Sequence, residues 1–266
     1  MNHKPSLLRP DVAAEFQDRT VAAANRCRPP YPRAVFDLLV SLIIDEPRAV
    51  LDIGCGTGNL ARPLAPLVDR VDAVDCSAAM IEEGKRLPGG QDPKLTWILG
   101  RVEDVALRPP YALVTEGASL HWMDWDVVLP RLNDVLTPNG VLAMVSVGTE
   151  LPPGIQPWGK ELEELLERYA TEAGSCPGFD LVAEVQRRGL FQEQGRIQTE
   201  RVPFQQTVDE YLESFHSRAT LSRERMGPEK AAAFATALRE LVSARLGDVV
   251  HFQIFGEIIW GKPMRR

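Results

Sequence analysis

Three glycines alternate with other residues in the stretch VLDIGCGTGNLARPLA, residues 50–65. Gly54, Gly56 and Gly58 remove three Cβ atoms where an apolar run passes into helix-forming residues, so a ligand can lie against bare backbone there. The spacing is GxGxG, whereas the dinucleotide fingerprint GxGxxG seats a pyrophosphate on the following helix. Asp52, two positions before the first glycine, would repel a pyrophosphate and suits a ligand bearing an ammonium group. The next apolar run ends at Asp75, 21 positions after Gly54, where a carboxylate accepts both hydroxyl protons of a ribose. Together these residues describe a nucleoside with an amino-acid tail and no phosphate, and S-adenosylmethionine has that chemistry. Each also has a plainer reading: the glycines as turn residues, Asp75 as the N-cap of the helix after it.

Positioning such a loop needs a parallel sheet. Residues 49–53, 70–74, 95–99, 112–115 and 141–147 are short, apolar and largely β-branched, with helical segments over 59–67, 78–86 and 126–136 between most of them. Apolar strands alternating with helices predict a doubly wound sheet covered on both faces. TPNG, residues 137–140, predicts a turn before the fifth strand. Ahead of the sheet a helical region over 11–26 is broken by CRPPYP, and Pro32 opens a helix carrying Val35, Leu38, Leu39 and Leu42. Behind it, the proline-rich ELPPGIQP leads to a charged amphipathic helix from Trp158 and a second helix over 180–189. A strand over 197–206, a helix over 208–216 and an alanine-rich helix from Pro228 to Leu246 come next, and VVHFQIFGEIIWGKP closes the chain as a strand. The tail of the sheet is thus interrupted by helical insertions, the place for a cap.

The 266 residues allow one large domain with a smaller cap, and 44% apolar with 25% charged residues is the balance of an ordinary globular protein. A net charge of -7 argues against nucleic acid or an anionic membrane as the main partner. MNHKPSLLRPD lacks the apolar core of a signal peptide, and no apolar run approaches the ~20 residues of a membrane span. The four cysteines, Cys27, Cys55, Cys76 and Cys176, form no CxxC pair, so neither a zinc site nor a disulfide framework is expected and Cys55 reads as packing. Cytoplasmic surroundings and a monomer or homodimer are the expectation.

VLDIGCGTGNLARPLA followed by VDAVDCSAAM resembles the first two motifs of class I S-adenosylmethionine-dependent methyltransferases, in the small-molecule branch that includes quinone and trans-aconitate methyltransferases. YALVTEGASLHWMDWDVVLPRLNDVLTPNGVLAMVSV is similar to the later strand, helix and strand of that branch, its SLHW element included, and RPPYP recurs there too. The resemblance covers about residues 28–147. It implies a Rossmann-like α/β sheet of seven strands with the last antiparallel. The expected division is an N-terminal arm over 1–47, a cofactor-binding core over 48–148, and cap insertions with the last strands over 149–266. It implies S-adenosylmethionine as cofactor, with Asp52, Gly54 and Gly56 at the methionine part, Asp75 at the ribose, and Ala79 and Met80 flanking the adenine. Arg101, Val102 and Glu103 take the place where the family holds the adenine amino group, Arg101 standing where Asp is common. Cys76 and Glu116 complete the cofactor-binding set. Ala112 stands where the family's FDLV carries Asp.

The implied activity is methyl transfer to a small organic acceptor, with O-methylation favoured. The alternatives are C-methylation of a quinone or polyketide-like substrate, and a cyclase or binding module that holds S-adenosylmethionine without methylating. His121 and Trp122 follow the fourth strand, at the edge where ligands bind in open α/β sheets. A neutral His121 can take a proton from a hydroxyl being methylated, Trp122 can face a sulfonium, or both can simply wall the pocket. Tyr31, Trp122, His216 and Arg218 are the candidate acceptor-binding residues, Arg218 because a guanidinium grips an anion.

Overall fold

The computed structural model describes residues 17–151, 158–170 and 179–265. In chain order its elements begin with α1 (Arg19–Asn25), α2 (Arg33–Ser41), β1 (Ala49–Ile53), α3 (Ala61–Leu64, continued by a 3-10 turn over Ala65–Leu67), β2 (Arg70–Asp75) and α4 (Ala78–Arg86). Then come β3 (Leu95–Leu99), β4 (Tyr111–Glu116), a 3-10 turn (Leu120–Trp122), α5 (Trp125–Val135) and β5 (Leu136–Glu150). After these lie α6 (Trp158–Tyr169), α7 (Leu181–Arg187), β6 (Phe191–Gln198), β7 (Val202–Thr207) and α8 (Val208–His216). A 3-10 turn (Ala219–Leu221), α9 (Arg223–Met226), α10 (Pro228–Leu246) and β8 (Val249–Pro263) complete the chain. The described residues of 30–148, 178–200 and 255–266 form one compact unit and those of 1–29, 149–177 and 201–254 another.

The larger unit is built on a sheet in the order β3-β2-β1-β4-β5-β8-β6. β1, β2, β3, β4 and β5 pair in parallel, and β6 is antiparallel to β8. All five residues of β1 and all six of β4 are buried, as strands covered on both faces must be. α2 and α3 cover one face, where Val35, Leu39, Leu60, Leu64, Val50, Leu113, Val145 and Ile258 share a core. Each such side chain contributes roughly 1.5–3 kcal/mol by leaving water. The alternation of strand and helix and the antiparallel last strand follow the sequence expectation, but the sheet has eight strands where seven were expected, because β7 adds to one end of the long β8.

Two further expectations are corrected. TPNG is no turn between elements: β5 runs from Leu136 through it. β4 advances from Tyr111 to Leu113 while β5 advances from Leu136 to Val141, so the extra residues bulge out of the ladder. Asp45 takes up the bulge by accepting the Asn139 amide N–H at 2.8 Å and its side-chain amide at 2.9 Å. The single strand expected over 197–206 is two, β6 and β7, broken at Thr199. There the Thr199 hydroxyl accepts the Gly256 N–H at 2.9 Å, doing the work of a ladder carbonyl.

In the smaller unit β7 pairs antiparallel with Val249–Ile254 of β8. A capping box between Thr207 and Glu210 starts α8, and Val208, Leu212 and Phe215 bury its inner face. Phe234, Leu238 and Val242 bury that of α10. Residues 11–16 of the first expected helix, the link over 152–157 and Cys176 lie outside the described residues.

Candidate functional site

At the carboxyl end of β1 the backbone turns left-handed at each glycine: φ is 60° at Gly54, 54° at Gly56 and 77° at Gly58. The three differ in surroundings. A Cβ on Gly54 would lie 2.5 Å from the Ser119 Cβ, and one on Gly58 would lie 2.5 Å from the Trp97 ring. A Cβ on Gly56 would meet nothing within 4 Å. Protein packing therefore demands the first and third glycines, and the open space lies at Gly56 alone.

Asp75, ending β2, folds back on this turn. Its Oδ2 accepts the Gly56 N–H and its Oδ1 the Ser77 N–H, each at 2.7 Å. The N-cap of α4 is Ser77, whose hydroxyl accepts the Met80 N–H at 3.1 Å. Asp75 is thus a clamp on the turn and not the cap that its position allowed. Cys76 is exposed beside it, and Met80 is 2% exposed. Burial pushes the Asp75 carboxyl up, and the two amide donors hold it down.

Asp52 is 1% exposed. Its Oδ1 accepts the Thr115 hydroxyl at 2.9 Å, while Oδ2 has no hydrogen-bond partner. Burial pushes its pKa up to about 7 despite the Thr115 bond, and the Asp75 and Glu116 charges push the same way. Parallel register sets Asp52 against Thr115 and Ile53 against Glu116. Glu116 Oε2 accepts the N–H groups of Ser119 at 2.7 Å and Leu120 at 3.1 Å, fastening the 3-10 turn to the end of β4. Burial also raises the Glu116 carboxyl. The Ser119 hydroxyl donates to the Ile53 carbonyl at 2.7 Å, tying β1 to the same turn. Between them Ala118 is held at φ 58°, a conformation that costs a non-glycine residue about 1–2 kcal/mol. Among the described residues no Lys or Arg pairs with Asp52, Asp75 or Glu116. The turn is therefore a nest of buried acids around one opening, which suits a cationic ligand.

The 3-10 turn places His121 and Trp122 half-buried, their ring centroids 4.6 Å apart. Tyr31 belongs to the same neighbourhood, since a Cβ on Gly117 would lie 2.7 Å from its hydroxyl. After β3, Val102 is 3% exposed, and the Glu103 Oε1 accepts from Arg101 Nη2 and from the Asp124 N–H, both at 3.0 Å. Glu103 thereby anchors the start of α5, and Arg101 is exposed.

The larger unit thus brings together Tyr31, Asp52, Gly54, Gly56, Asp75, Cys76, Met80, Arg101, Val102, Glu103, Glu116, His121 and Trp122. His216 and Arg218 belong to the smaller one. His216 is 3% exposed, packs edge-on against Phe234, and sets Nδ1 2.9 Å from the Leu221 carbonyl oxygen. The Arg218 guanidinium lies over the Phe215 ring, 4.6 Å from its centroid. Thr115 and Ser119 escaped the sequence reading. A polar Thr115 closing the apolar run YALV was a usable signal for a partner to Asp52; nothing local pointed from Ser119 to Ile53. Among the described residues no group of His, Cys, Asp and Glu is arranged to hold a metal, and no helix is long and apolar enough to cross a membrane.

Comparison with known proteins adds independent findings. Residues 50–140 match the methyltransferase domain family. A malonyl-[acyl-carrier protein] O-methyltransferase of Halalkalibacterium halodurans is 30% identical over 183 residues, 63% of this chain and 64% of that protein. A trans-aconitate 2-methyltransferase of Pseudomonas aeruginosa is 36% identical over 139 residues, 51% of this chain and 48% of the relative. The chain spans less than two thirds of the length of either relative. A solved structure from Anaeromyxobacter dehalogenans, named provisionally as a Type II methyltransferase, superposes with a TM-score of 0.65 at 26% identity, over 90% of this chain and 99% of that one. An S-adenosylmethionine-dependent methyltransferase of Thiobacillus denitrificans, solved with S-adenosyl-L-homocysteine, shares the fold at a TM-score of 0.50 and 16% identity, over 97% and 99% of the two chains.

Proposed function

We propose that this chain, whose residues 50–140 match the methyltransferase domain family, is a class I S-adenosylmethionine-dependent methyltransferase that transfers a methyl group to an oxygen of a small organic acceptor. The cofactor is S-adenosylmethionine. It supplies a sulfonium-bound methyl group: the acceptor oxygen forms the new C–O bond as the C–S bond breaks, a neutral thioether leaves, and the acceptor's proton passes to a base or to water.

The observation that carries this reading is the acid-lined turn: open space at Gly56 beside three buried carboxylates, one with an unpartnered Oδ2 at Asp52. A cationic amino-acid tail offsets that charge. Asp75 has lone pairs left for ribose hydroxyls after serving the Gly56 and Ser77 amides. Met80 and Val102 are the buried walls for an adenine. Held in the 3-10 turn beside Glu116, His121 is the base for the acceptor hydroxyl, and Trp122 and Tyr31 face the reacting groups. Most of the rate comes from alignment, worth up to roughly 7–11 kcal/mol in well-oriented reactions, so few catalytic side chains are required.

The test is a calorimetric titration of S-adenosylmethionine, followed by an acceptor screen that reads S-adenosylhomocysteine release. Binding with release only when an acceptor is present supports transfer. Binding without release to any acceptor class makes the chain a binding module, and no binding to the folded chain removes the reading.

A further inference from the structure

Beside the acid-lined turn, and wholly within the larger unit, lies an open cleft of about 420 Å3. Glu116 contributes to its wall, together with Met144 and Ser146 of β5, Gln198 of β6, and Glu257 and Ile259 of β8. Register locates it relative to the glycines. Glu116 pairs with Ile53 on one side and with Met144 on the other. The glycine turn leaves β1 directly after Ile53, so cleft and turn rise from the sheet at one level with β4 between them. Neighbouring strands are about 4.8 Å apart, which separates β1 from β5 by roughly 10 Å, the span of one small molecule.

The lining has a definite chemistry. Met144, Ile259, Leu181 and Val182 give it apolar walls. At its polar end the Glu257 carboxylate receives the Gln198 side-chain amide and, at 3.5 Å, the Ser146 hydroxyl. Arg196 supplies a positive charge to the lining, but Glu193 already holds it by two bonds of 2.7 Å each. An incoming carboxylate would meet Glu116 and Glu257, and among the described lining residues the one cation, Arg196, is already held by Glu193.

We propose that this cleft receives the methyl acceptor and selects one without negative charge: an apolar molecule offering a neutral hydroxyl toward the glycine turn and a neutral or cationic donor group to Glu257. The inference rests on the transfer reading above and narrows it, since both the malonyl group and trans-aconitate in the relatives' names bear carboxylates.

Four probes test it on the full chain with S-adenosylhomocysteine bound: tyramine, 4-ethylphenol, 4-hydroxyphenylacetate and trans-aconitate, each titrated by calorimetry. Tyramine and 4-ethylphenol should bind at least tenfold more tightly than the two carboxylates. Tyramine should in turn bind more tightly than 4-ethylphenol, its ammonium meeting Glu257, and Glu257→Gln should erase that difference. Ile259→Trp should weaken both phenols tenfold or more and leave S-adenosylmethionine affinity unchanged. Equal or tighter binding of either carboxylate, indifference of the phenols to Ile259→Trp, or no binding by any probe overturns the inference while cofactor binding stands. Loss of cofactor binding in the unsubstituted protein instead defeats the transfer reading itself.

Discussion

The Asp75 carboxylate accepts the Gly56 N–H through one oxygen and the Ser77 N–H through the other, each at 2.7 Å. One side chain therefore holds both the glycine turn after β1 and the entry to α4. Asp75→Ala leaves two amides without their acceptor, at about 1–3 kcal/mol for each that stays buried. We expect it to lower the unfolding midpoint and to weaken S-adenosylmethionine tenfold or more, about 1.4 kcal/mol. Calorimetry beside a thermal melt reads both, and undiminished affinity would remove Asp75 from the cofactor site.

Asp52 sets a pH dependence. Its folded pKa is raised from 3.8 to about 7 by burial, so between roughly pH 4 and 7 the folded chain holds a proton that the unfolded chain has lost. Stability without ligand should therefore fall as pH rises through that window, by at most about 4 kcal/mol at 1.36 kcal/mol per unit. A cationic ligand favours the ionised form, so S-adenosylmethionine affinity should rise over the same window. Asp52→Asn should flatten both trends, which melts and titrations at pH 5.5 and 7.5 will show; an unchanged slope would place the titration elsewhere.

Gly54 and Gly56 should respond differently to the same substitution. Gly54→Ala drives a methyl group into Ser119 as well as straining φ, for a combined cost of roughly 2–5 kcal/mol. Gly56→Ala meets open space and pays only about 1–2 kcal/mol of backbone strain, yet its methyl group occupies the place of the ligand. Denaturant unfolding should rank Gly54→Ala as the less stable variant. Titration of Gly56→Ala should show cofactor binding lost from a folded protein.

His121→Ala separates the acceptor atoms. If a hydroxyl oxygen is methylated with His121 as base, turnover should fall by about 10²-fold or more, and the acidic limb of the pH–rate profile should vanish with S-adenosylmethionine affinity intact. A change of less than threefold would mark His121 as pocket wall and favour a carbon acceptor, which needs little help from a base.

Much of the site was legible because its residues are near neighbours along the chain. Asp52, the glycine spacing and Asp75 at the end of β2 follow from strand and turn propensities acting over a few residues. The bulge at 137–140 was not legible as a bulge, since TPNG has strong turn chemistry and only pairing with β4 keeps it in the strand. Thr199 likewise breaks a run that reads as one strand because its hydroxyl finds the Gly256 N–H, 57 positions away.

By itself the sequence determined the alternation of strand and helix, the place of the glycine turn, and the acids that accompany it, all set by local spacing and apolar period. Tertiary structure alone decided which glycine faces open space and which acid lacks a partner. It also decided that Ser119 locks the turn and what charge lines the neighbouring cleft. Those features depend on contacts such as Ser119 to Ile53 and Gln198 to Glu257, 66 and 59 positions apart. No local preference encodes such contacts, because they exist only once the strands have paired in register, in parallel around β1 and β4 and antiparallel between β6 and β8.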